Sequence, residues 1–350
     1  MAIQAKKVSE EPKEVYLYKK LSDKKVQCQT CGHYCIISPD KRGICGVREN
    51  LNGKLYALNY GKIIACNIDP IEKKPLFHFL PGTFTYSIAT VGCNLACQNC
   101  QNWDISQASK FERAQIVGEK LSPEEIVSDA IKNDCPSIAY TYTEPTIFLE
   151  LALDTMKIAK KKGLKNVWVS NGFMSEESAR LVIPYLDANN IDIKGFSEDF
   201  YRSNCKAKLE PVLNTAKSMK KSGVWVEITT LSIPTLSDSD EMFRGIAKFI
   251  YDELGSETPW HVSQFSGAIS WKLKNLPETP VETLEKAYRI GKKAGLKYVY
   301  TGNVPGLPSE DTFCPKCGAL MIDRTGYEIH RYDKNEKCSK CDENLNLTLK

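Results

Sequence analysis

The chain has 350 residues, of which 47 are basic and 43 acidic, and hydrophobic residues make up 42% of it. This length predicts about two domains, and the composition excludes a disordered or collagen-like chain. The small excess of positive charge argues against binding to nucleic acid or to an anionic membrane by charge alone.

The N-terminal segment is not expected to act as an export signal. Met1–Val15 contains several Lys and Glu residues and lacks an apolar core. The longest stretch without charged side chains, Pro75–Trp103, contains proline, glycine and amide residues, so we do not expect it to cross a membrane. We therefore expect a cytoplasmic protein. Because the cytosol is reducing, clusters among the 14 cysteines are expected to bind metal or take part in catalysis.

Four cysteines lie close together near the N-terminus. Cys28, Cys31, Cys35 and Cys45 have the spacing C-x2-C-x3-C-x9-C. We expect this group to bind a metal, with zinc favoured over an auxiliary iron–sulfur cluster, and His33 is a further candidate ligand.

Between residues 84 and 301 the chain alternates between strand and helix patterns. Apolar runs predict strands at Phe84–Val91, Ser137–Thr143, Asn166–Ser170, Ile191–Ile193, Val224–Leu231, Trp260–Phe265 and Tyr298–Thr301. Helices are predicted at Pro123–Lys132, Ile147–Lys162, Glu176–Leu186, Glu210–Lys221, Ser239–Leu254 and Val281–Ala294. This alternation predicts an α/β protein with a parallel sheet, either doubly wound or an incomplete (β/α) barrel, with ligands at the C-terminal ends of the strands.

Local signals mark the ends of these helices. Ser122 with Glu125, and Thr279 with Glu282, are predicted capping boxes at helix starts. Four glycines lie where helices are expected to end: Gly163, Gly223, Gly255 and Gly295.

Three cysteines follow the first of these strands. Cys93, Cys97 and Cys100 have the spacing C-x3-C-x2-C. Three such thiolates can bind three irons of a [4Fe–4S] cluster and leave the fourth iron open, as catalytic metal sites do. The alternative is a zinc site completed by another residue, for instance His78 or His261.

A third group of cysteines lies near the C-terminus. Two C-x2-C knuckles, formed by Cys314, Cys317, Cys338 and Cys341, predict a zinc ribbon. Zinc is favoured over an iron–sulfur centre because four closed thiolates suit a structural ion. The three remaining cysteines are expected to be small buried side chains: Cys66, Cys135 and Cys205.

The central spacing is the signature of the radical S-adenosylmethionine (SAM) superfamily. The segments Asp69–His78 and Gly92–Ser106, together with Gly43–Asn50 and Tyr142–Thr146, resemble a narrower group. That group is the AmmeMemoRadiSam system radical SAM enzymes, which are similar to pyruvate formate-lyase activating enzymes. The resemblance covers roughly residues 25–345.

The resemblance implies roles for single residues. The three central cysteines would hold the cluster, and SAM would chelate its fourth iron. Glu144 matches the Glu of the family's Gly-Gly-Glu-Pro motif, which contacts the SAM amino group. Asp192 and Lys194 match a D-x-K element that helps to hold SAM, and Asn171 matches the Asn of an Asp-Thr-Asn-Gly motif. We also expect His261, on the sixth strand, to lie near the SAM pocket.

The chain departs from the family pattern at several positions. Tyr142 and Thr143 replace the two glycines of the SAM motif, and Asn99 replaces an aromatic residue near the adenine. Val169 stands where the family has an Asp that is tied to a cation, which puts that cation site in doubt. Without the resemblance, Glu144 could simply begin a helix, and the D-x-K residues could form an ordinary ion pair.

The sequence thus predicts an α/β protein with a partial (β/α)6 radical SAM barrel, a small cysteine-rich N-terminal lobe and a C-terminal zinc ribbon. The expected boundaries are a tail at 1–24, a metal-binding lobe at 25–66, the barrel at 78–305 and the ribbon at 310–345. The expected cofactors are a [4Fe–4S] cluster, SAM and one or two structural zinc ions.

The function implied by the resemblance is the reductive cleavage of SAM to a 5′-deoxyadenosyl radical, which takes hydrogen from a substrate. That substrate could be a protein or a small molecule, and a flavodoxin- or ferredoxin-type donor would supply electrons. One alternative is a glycyl-radical-enzyme activase. The other is a non-catalytic zinc-ribbon protein that binds nucleic acid, although the small net charge disfavours such a partner. This alternative predicts zinc in all three cysteine groups.

Overall fold

The computed structural model describes residues 12–111, 114–304 and 308–349. The chain folds into two compact units, each drawn from separate segments. The first unit comprises Met1–Ile68, Thr85–Ala96 and Asn102–Asp187, and the second comprises Asp69–Phe84, Cys97–Gln101 and Ala188–Lys350. The part of the predicted tail at residues 1–11 lies outside the described residues.

The first unit begins with seven short strands. They are β1 Lys13–Glu14, β2 Tyr18–Lys20, β3 Val26–Cys28, β4 Ile36–Ile37, β5 Arg48–Leu51, β6 Lys54–Ala57 and β7 Lys62–Ile63. β6 lies between β1 and β5 in one antiparallel sheet, and β3 lies between β2 and β4 in another. Apolar side chains from these strands, including Val26, Ile37 and Leu55, form a buried cluster, so the cysteine-rich lobe has its own small core.

Alternating strands and helices complete the first unit. They are β8 Ala65–Pro70, β9 Phe84–Ala89, α1 Trp103–Ser106, β10 Glu119–Lys120, α2 Pro123–Lys132, β11 Ser137–Tyr140, α3 Leu149–Lys161, β12 Lys165–Ser170 and α4 Glu176–Val182. β11 pairs in parallel with β9 and with β12. All four residues of β11 are buried, as expected for a parallel strand that is covered on both faces.

The second unit continues the alternation. Its elements are β13 Ala188–Asp192, α5 Glu198–Phe200, α6 Glu210–Lys221, β14 Trp225–Ser232, α7 Asp240–Phe249, β15 Trp260–Gln264, α8 Val281–Lys293 and β16 Val299–Gly302. The four strands pair in parallel in chain order. Among the described residues β16 has one strand neighbour, β15, so these strands do not close into a ring.

The second unit ends in a small antiparallel sheet. Its strands are β17 Thr312–Phe313, β18 Leu320–Thr325 and β19 Glu328–Arg331. Met321, Ile322 and Leu345 pack with Cys314 and Cys338 in a buried cluster. Within the described part of the chain, none of the helices has the length and apolar character needed to cross a bilayer.

The predicted α/β fold is confirmed: six strand–helix units begin at β9, β11, β12, β13, β14 and β15. Ser122 and Glu125 form the predicted capping box at the start of α2. The capping box predicted at Thr279 is wrong, because its hydroxyl accepts from the Phe265 N–H and donates to the Ser232 carbonyl. These contacts outside the helix leave α8 without a side-chain cap.

Candidate active site and metal centres

Cys93 lies in the loop that follows β9, at the C-terminal end of the strand. Its Sγ accepts a hydrogen bond from the Leu95 backbone N–H (3.4 Å) and lies 3.7 Å from Asn171 Nδ2. The same Asn171 amide donates to Asn94 Oδ1 at 2.8 Å. Donors beside a cysteine favour its thiolate, which is the form that binds metal.

Glu144 fixes the backbone of Asn171, which directly follows β12. Its Oε2 accepts from the Asn171 N–H at 2.8 Å. Its Oε1 accepts from the N–H and hydroxyl of Thr146 (3.0 and 2.6 Å) and from the Ser170 hydroxyl (2.9 Å). Burial raises the pKa of Glu144, although these hydrogen bonds oppose the shift. A chain of contacts thus runs from Glu144 through Asn171 to Cys93.

Tyr142 has a left-handed backbone conformation at a position that matches a glycine of the family motif. Its φ of 59° lies in the left-handed region, which costs a residue other than glycine roughly 1–2 kcal/mol. The Asn102 side-chain amide donates to the Tyr142 carbonyl at 2.7 Å, and the Thr143 hydroxyl donates to the Thr90 carbonyl at 2.9 Å. Hydrogen bonds from side chains therefore stabilise a turn in which glycine at position 142 would be unstrained.

In the second unit, Cys97 is buried beside Cys205 and the D-x-K residues. The Cys205 thiol, together with burial, raises the pKa of Cys97 well above its usual range, and Lys194 opposes the shift. Lys194 Nζ donates to Asp192 Oδ2 at 2.8 Å. Asp192 is the last residue of β13, so this ion pair lies at the C-terminal end of the strand, within electrostatic reach of Cys97.

The cysteine loop of the second unit is fixed by two neighbouring segments. Asn204 Nδ2 donates to Asn99 Oδ1 at 2.8 Å, and Asn204 belongs to the π-helical turn Tyr201–Cys205. The carbonyl of Cys100 accepts from the Trp271 N–H at 3.1 Å. π-Helical turns are frequent at functional sites. Asn99, in the position of the family's aromatic residue, is thus engaged in a buried amide pair.

His261 lies near the N-terminal end of β15, where it belongs to a buried polar network. Its Nε2 is 2.7 Å from Glu227, which also accepts from the backbone N–H groups of Phe77 and His78. His78 Nε2 in turn lies 2.7 Å from the Tyr300 hydroxyl. We expected His261 near SAM, yet its ring is 3% exposed at the opposite end of the strand from the predicted ligand site. We therefore assign it to the core.

The N-terminal cysteines form a largely buried group. Cys28, Cys31 and Cys45 are buried and Cys35 is partly exposed. Burial raises the pKa of all four thiols, and the backbone N–H groups that oppose this shift include those of Thr30, His33, Ile44 and Val47. The ring of His33, the further candidate ligand, lies with Nε2 at 2.8 Å from the Asn94 carbonyl. That nitrogen is engaged outside the cysteine group.

The C-terminal cysteines form a compact group. Cys314 Sγ lies 3.6 Å from Cys341 Sγ, and Cys317 Sγ lies 3.6 Å from Cys338 Sγ. All four sulfurs lie within 4.8 Å of one another. Tetrahedral zinc with Zn–S bonds of about 2.3 Å requires sulfur separations of about 3.8 Å. The four thiols therefore fit a single metal ion.

The structure adds two residues that the sequence did not single out. Cys205 is buried as predicted, but its thiol also lies beside Cys97. Arg48, in β5, is 2% exposed and lies beside Cys28 and Cys45. Cys205 lies far from Cys97 in the sequence, so only the fold brings the two together. Arg48 lies three residues after Cys45, but the burial of its side chain and its pairing with Glu150 depend on the fold.

The chain is similar to several known proteins. The model of the family described as Radical SAM superfamily matches residues 87–250. An uncharacterized protein of Methanocaldococcus jannaschii is 48% identical over 340 residues, covering 96% of this chain and all of that protein. The pyruvate formate-lyase-activating enzyme of Clostridium pasteurianum is 23% identical over 165 residues, 45% of this chain and 66% of that enzyme.

Among solved structures, a radical SAM methyltransferase from Sphaerobacter thermophilus is 13% identical, with a TM-score of 0.49. That similarity covers 69% of this chain and 71% of the methyltransferase chain. The matched segment 87–250 contains Cys93, Cys97 and Cys100 in the spacing of the superfamily. Residues 87–250 of the chain form a radical SAM domain.

Proposed function

We propose that this protein binds a [4Fe–4S] cluster through Cys93, Cys97 and Cys100 and uses it to cleave SAM reductively. When bound, the cluster and SAM would supply a 5′-deoxyadenosyl radical that takes hydrogen from a substrate. The observation that carries the proposal is the C-x3-C-x2-C motif, which begins four residues after β9 within the segment matched by the radical SAM model. Three thiolates leave one iron open for SAM.

The surroundings of the cysteines support this role. A thiolate-bound cluster is anionic and needs donors or positive charge in a buried site. In the first unit, Cys93 has the Asn171 amide and the Leu95 N–H. In the second unit, the positive charge of Lys194 lies close enough to Cys97 to oppose the rise in the pKa of its thiol.

We propose that Glu144, Asn171, Asp192 and Lys194 hold SAM. SAM carries an amino group, a carboxylate and a ribose, so it needs both acceptors and donors. Glu144 offers a buried carboxylate whose Oε2 has one protein donor, the Asn171 N–H. Lys194 and Asp192 offer a donor and an acceptor that already pair with each other at 2.8 Å. His261 has no part in this assignment.

For the C-terminal group we propose a structural zinc ion in a zinc ribbon. Sulfur separations of 3.6 Å fit its tetrahedral geometry. The buried cluster around Cys314 and Cys338 is small, so the metal would contribute much of the stability of this lobe. The four-part division of the chain and a cytoplasmic location remain proposals as well.

The narrower assignment is an AmmeMemoRadiSam system enzyme supplied with electrons by a flavodoxin- or ferredoxin-type protein. The resemblance at Asp69–His78 and Gly43–Asn50 supports it. A second candidate is an activase that places a glycyl radical on a partner enzyme. The similarity to the Clostridium pasteurianum activating enzyme favours this candidate, and it suggests a protein substrate.

The test is anaerobic reconstitution followed by incubation with dithionite and SAM. We expect release of 5′-deoxyadenosine by the wild-type protein and none by Cys97→Ser, which lacks a thiolate of the cluster. A glycyl radical detected on an added candidate partner would favour the activase. Zinc in all three cysteine groups, with no visible iron–sulfur absorbance, would favour the nucleic-acid-binding alternative.

A further inference from the structure

The two outer cysteine groups differ in the separation of their sulfurs. The C-terminal sulfurs all lie within 4.8 Å of one another. Among the described residues, no other group of three or more Cys, His, Asp or Glu side chains meets that distance. The N-terminal cysteines are therefore more widely spaced than the roughly 3.8 Å that one tetrahedral zinc ion requires.

The N-terminal sulfurs nevertheless share one site. The Cys28 backbone N–H donates to the Cys35 carbonyl at 2.9 Å, and Cys35 packs against the buried cluster that contains Cys28. The thiols of Cys28, Cys45 and Cys35 also lie close enough to Cys31 to act on its charge. Backbone N–H groups near the four thiols, among them those of Thr30, His33, Ile44 and Val47, oppose the rise in pKa that burial causes. Such donors stabilise thiolate ligands.

Arg48 gives independent evidence of that group. Its side chain is 2% exposed, and Nη1 donates to Glu150 at 2.5 Å. Nε and Nη2 are buried and have no hydrogen-bond partner among the residues that the structure describes. The positive charge of Arg48 opposes the rise in pKa that burial causes at Cys28 and Cys45, so it lies close enough to both thiols to act on them. Buried donors in folded proteins nearly always have a partner, so two free N–H groups of a buried guanidinium point to an acceptor at this place.

We propose that Cys28, Cys31, Cys35 and Cys45 bind a second iron–sulfur cluster, of two or four irons, and that Arg48 donates to its sulfur atoms. A cluster with several irons separates the cysteine sulfurs, because they bind different irons. The negative charge of such a cluster would pair with the positive charge of Arg48. Its sulfides would accept hydrogen bonds from the free N–H groups of the guanidinium. This assignment replaces zinc as the metal of the N-terminal group.

The proposed cluster would adjoin the loop of Cys93. His33, two residues after Cys31, contacts the carbonyl of Asn94 at 2.8 Å, and the Ser109 hydroxyl donates to the carbonyl of Cys45 at 2.8 Å. The proposal does not depend on SAM cleavage, because the cysteines involved are distinct from the central three.

The primary experiment removes the central cluster and counts metals. The variant Cys93→Ala/Cys97→Ala/Cys100→Ala is purified anaerobically and reconstituted with iron and sulfide. We expect two or four irons, an equal number of sulfides, one zinc per chain and an iron–sulfur electron paramagnetic resonance signal after reduction. Two zincs without iron would overturn the proposal. Adding Cys28→Ser and Cys45→Ser should remove the iron and leave the zinc.

The wild-type protein provides a second readout if the triple variant fails to fold. It should contain two or four irons beyond the four of the central cluster. Four irons with two zincs would overturn the proposal while leaving the proposed SAM chemistry intact. Conversely, a second cluster in a protein that never cleaves SAM would contradict the proposed function alone.

Arg48→Gln tests the contact with the cluster, and Arg42→Gln is the matched control. Arg42 is exposed, and its side chain donates a hydrogen bond to Glu49. In the triple-variant background we expect Arg48→Gln to lower the reduction potential of the N-terminal cluster or to reduce its iron content, because a nearby positive charge stabilises the reduced form. Arg42→Gln should change neither. Equal potentials and iron contents in both variants would overturn the role of Arg48.

Discussion

The side-chain amide of Asn171 lies 3.7 Å from Sγ of Cys93, and its backbone N–H donates to Glu144 at 2.8 Å. One residue thus connects the first cysteine of the radical SAM motif with the residue that matches the family's SAM-binding Glu. Because Asn171 directly follows β12 and Glu144 follows β11, neighbouring parallel strands bring this contact to their C-terminal ends.

Asn171→Ala should slow SAM cleavage without removing the cluster. The variant keeps all three thiolates but loses the amide donor next to Cys93 and the bond to Asn94. A hydrogen bond to a charged group contributes about 1.5–3 kcal/mol, so 5′-deoxyadenosine release should slow at least tenfold. Asn133→Ala, at an exposed position after α2, is the control. Equal rates in both variants would mean that the Asn171 amide has no role in turnover.

Glu144→Gln should weaken SAM binding. The substitution removes the negative charge and replaces one acceptor oxygen with a donor, so SAM and the Asn171 backbone each lose a favourable contact. Loss of one charge-assisted hydrogen bond, about 1.5–3 kcal/mol, lowers affinity roughly 10- to 150-fold. Equilibrium binding to the reconstituted protein measures this change, with the exposed Glu124→Gln as control. Undiminished affinity would contradict the role proposed for Glu144.

Cys317→Ser should lower zinc content and destabilise the C-terminal lobe. It removes one of four sulfurs that lie within 4.8 Å of one another. Because metal binding and folding are coupled in such lobes, zinc content and thermal stability should fall together. The visible spectrum of the central cluster should persist, and Lys316→Ala is the neighbouring control. Loss of that spectrum would show that the C-terminal group takes part in the central site.

His78 should make the fold sensitive to acid. Burial lowers the pKa of His78 to about 4, below its ordinary value of 6.5. Between these values the unfolded chain binds a proton that the folded chain does not, so stability falls as the pH falls from about 6.5 to 4. The full effect is about 3 kcal/mol.

Thermal unfolding of the wild type and His78→Gln across this pH range measures the effect. The variant should be less stable at pH 7 but should lose less stability on acidification. His330→Gln, on the exposed strand β19, should behave like the wild type. The same pH dependence in all three proteins would contradict the assignment of acid sensitivity to His78.

Local signals predicted most of the fold. α2 and α6 have the predicted bounds, Pro123–Lys132 and Glu210–Lys221, because amphipathic periodicity and end signals are encoded within each segment. The start of α8 could not be predicted in the same way. Thr279 has the residue type of a helix cap, but tertiary hydrogen bonds to Phe265 and Ser232 use its hydroxyl.

The site was predictable where motifs carry spacing and unpredictable where it depends on tertiary contacts. The C-x3-C-x2-C motif predicts the central cysteines as cluster ligands, whereas nothing in the sequence links Cys205 to Cys97. The pattern also placed His261 on the correct strand but gave no information about its partner. That partner, Glu227, lies on the neighbouring strand β14 and holds the ring in the core.

The most direct test of the central claim is the release of 5′-deoxyadenosine from SAM by the anaerobically reconstituted protein with dithionite. We expect release by the wild type and none by Cys97→Ser, which should stay folded and keep its C-terminal zinc. A wild-type protein that holds a complete [4Fe–4S] cluster, binds SAM and yet never releases 5′-deoxyadenosine, with or without candidate partners, would contradict the central claim.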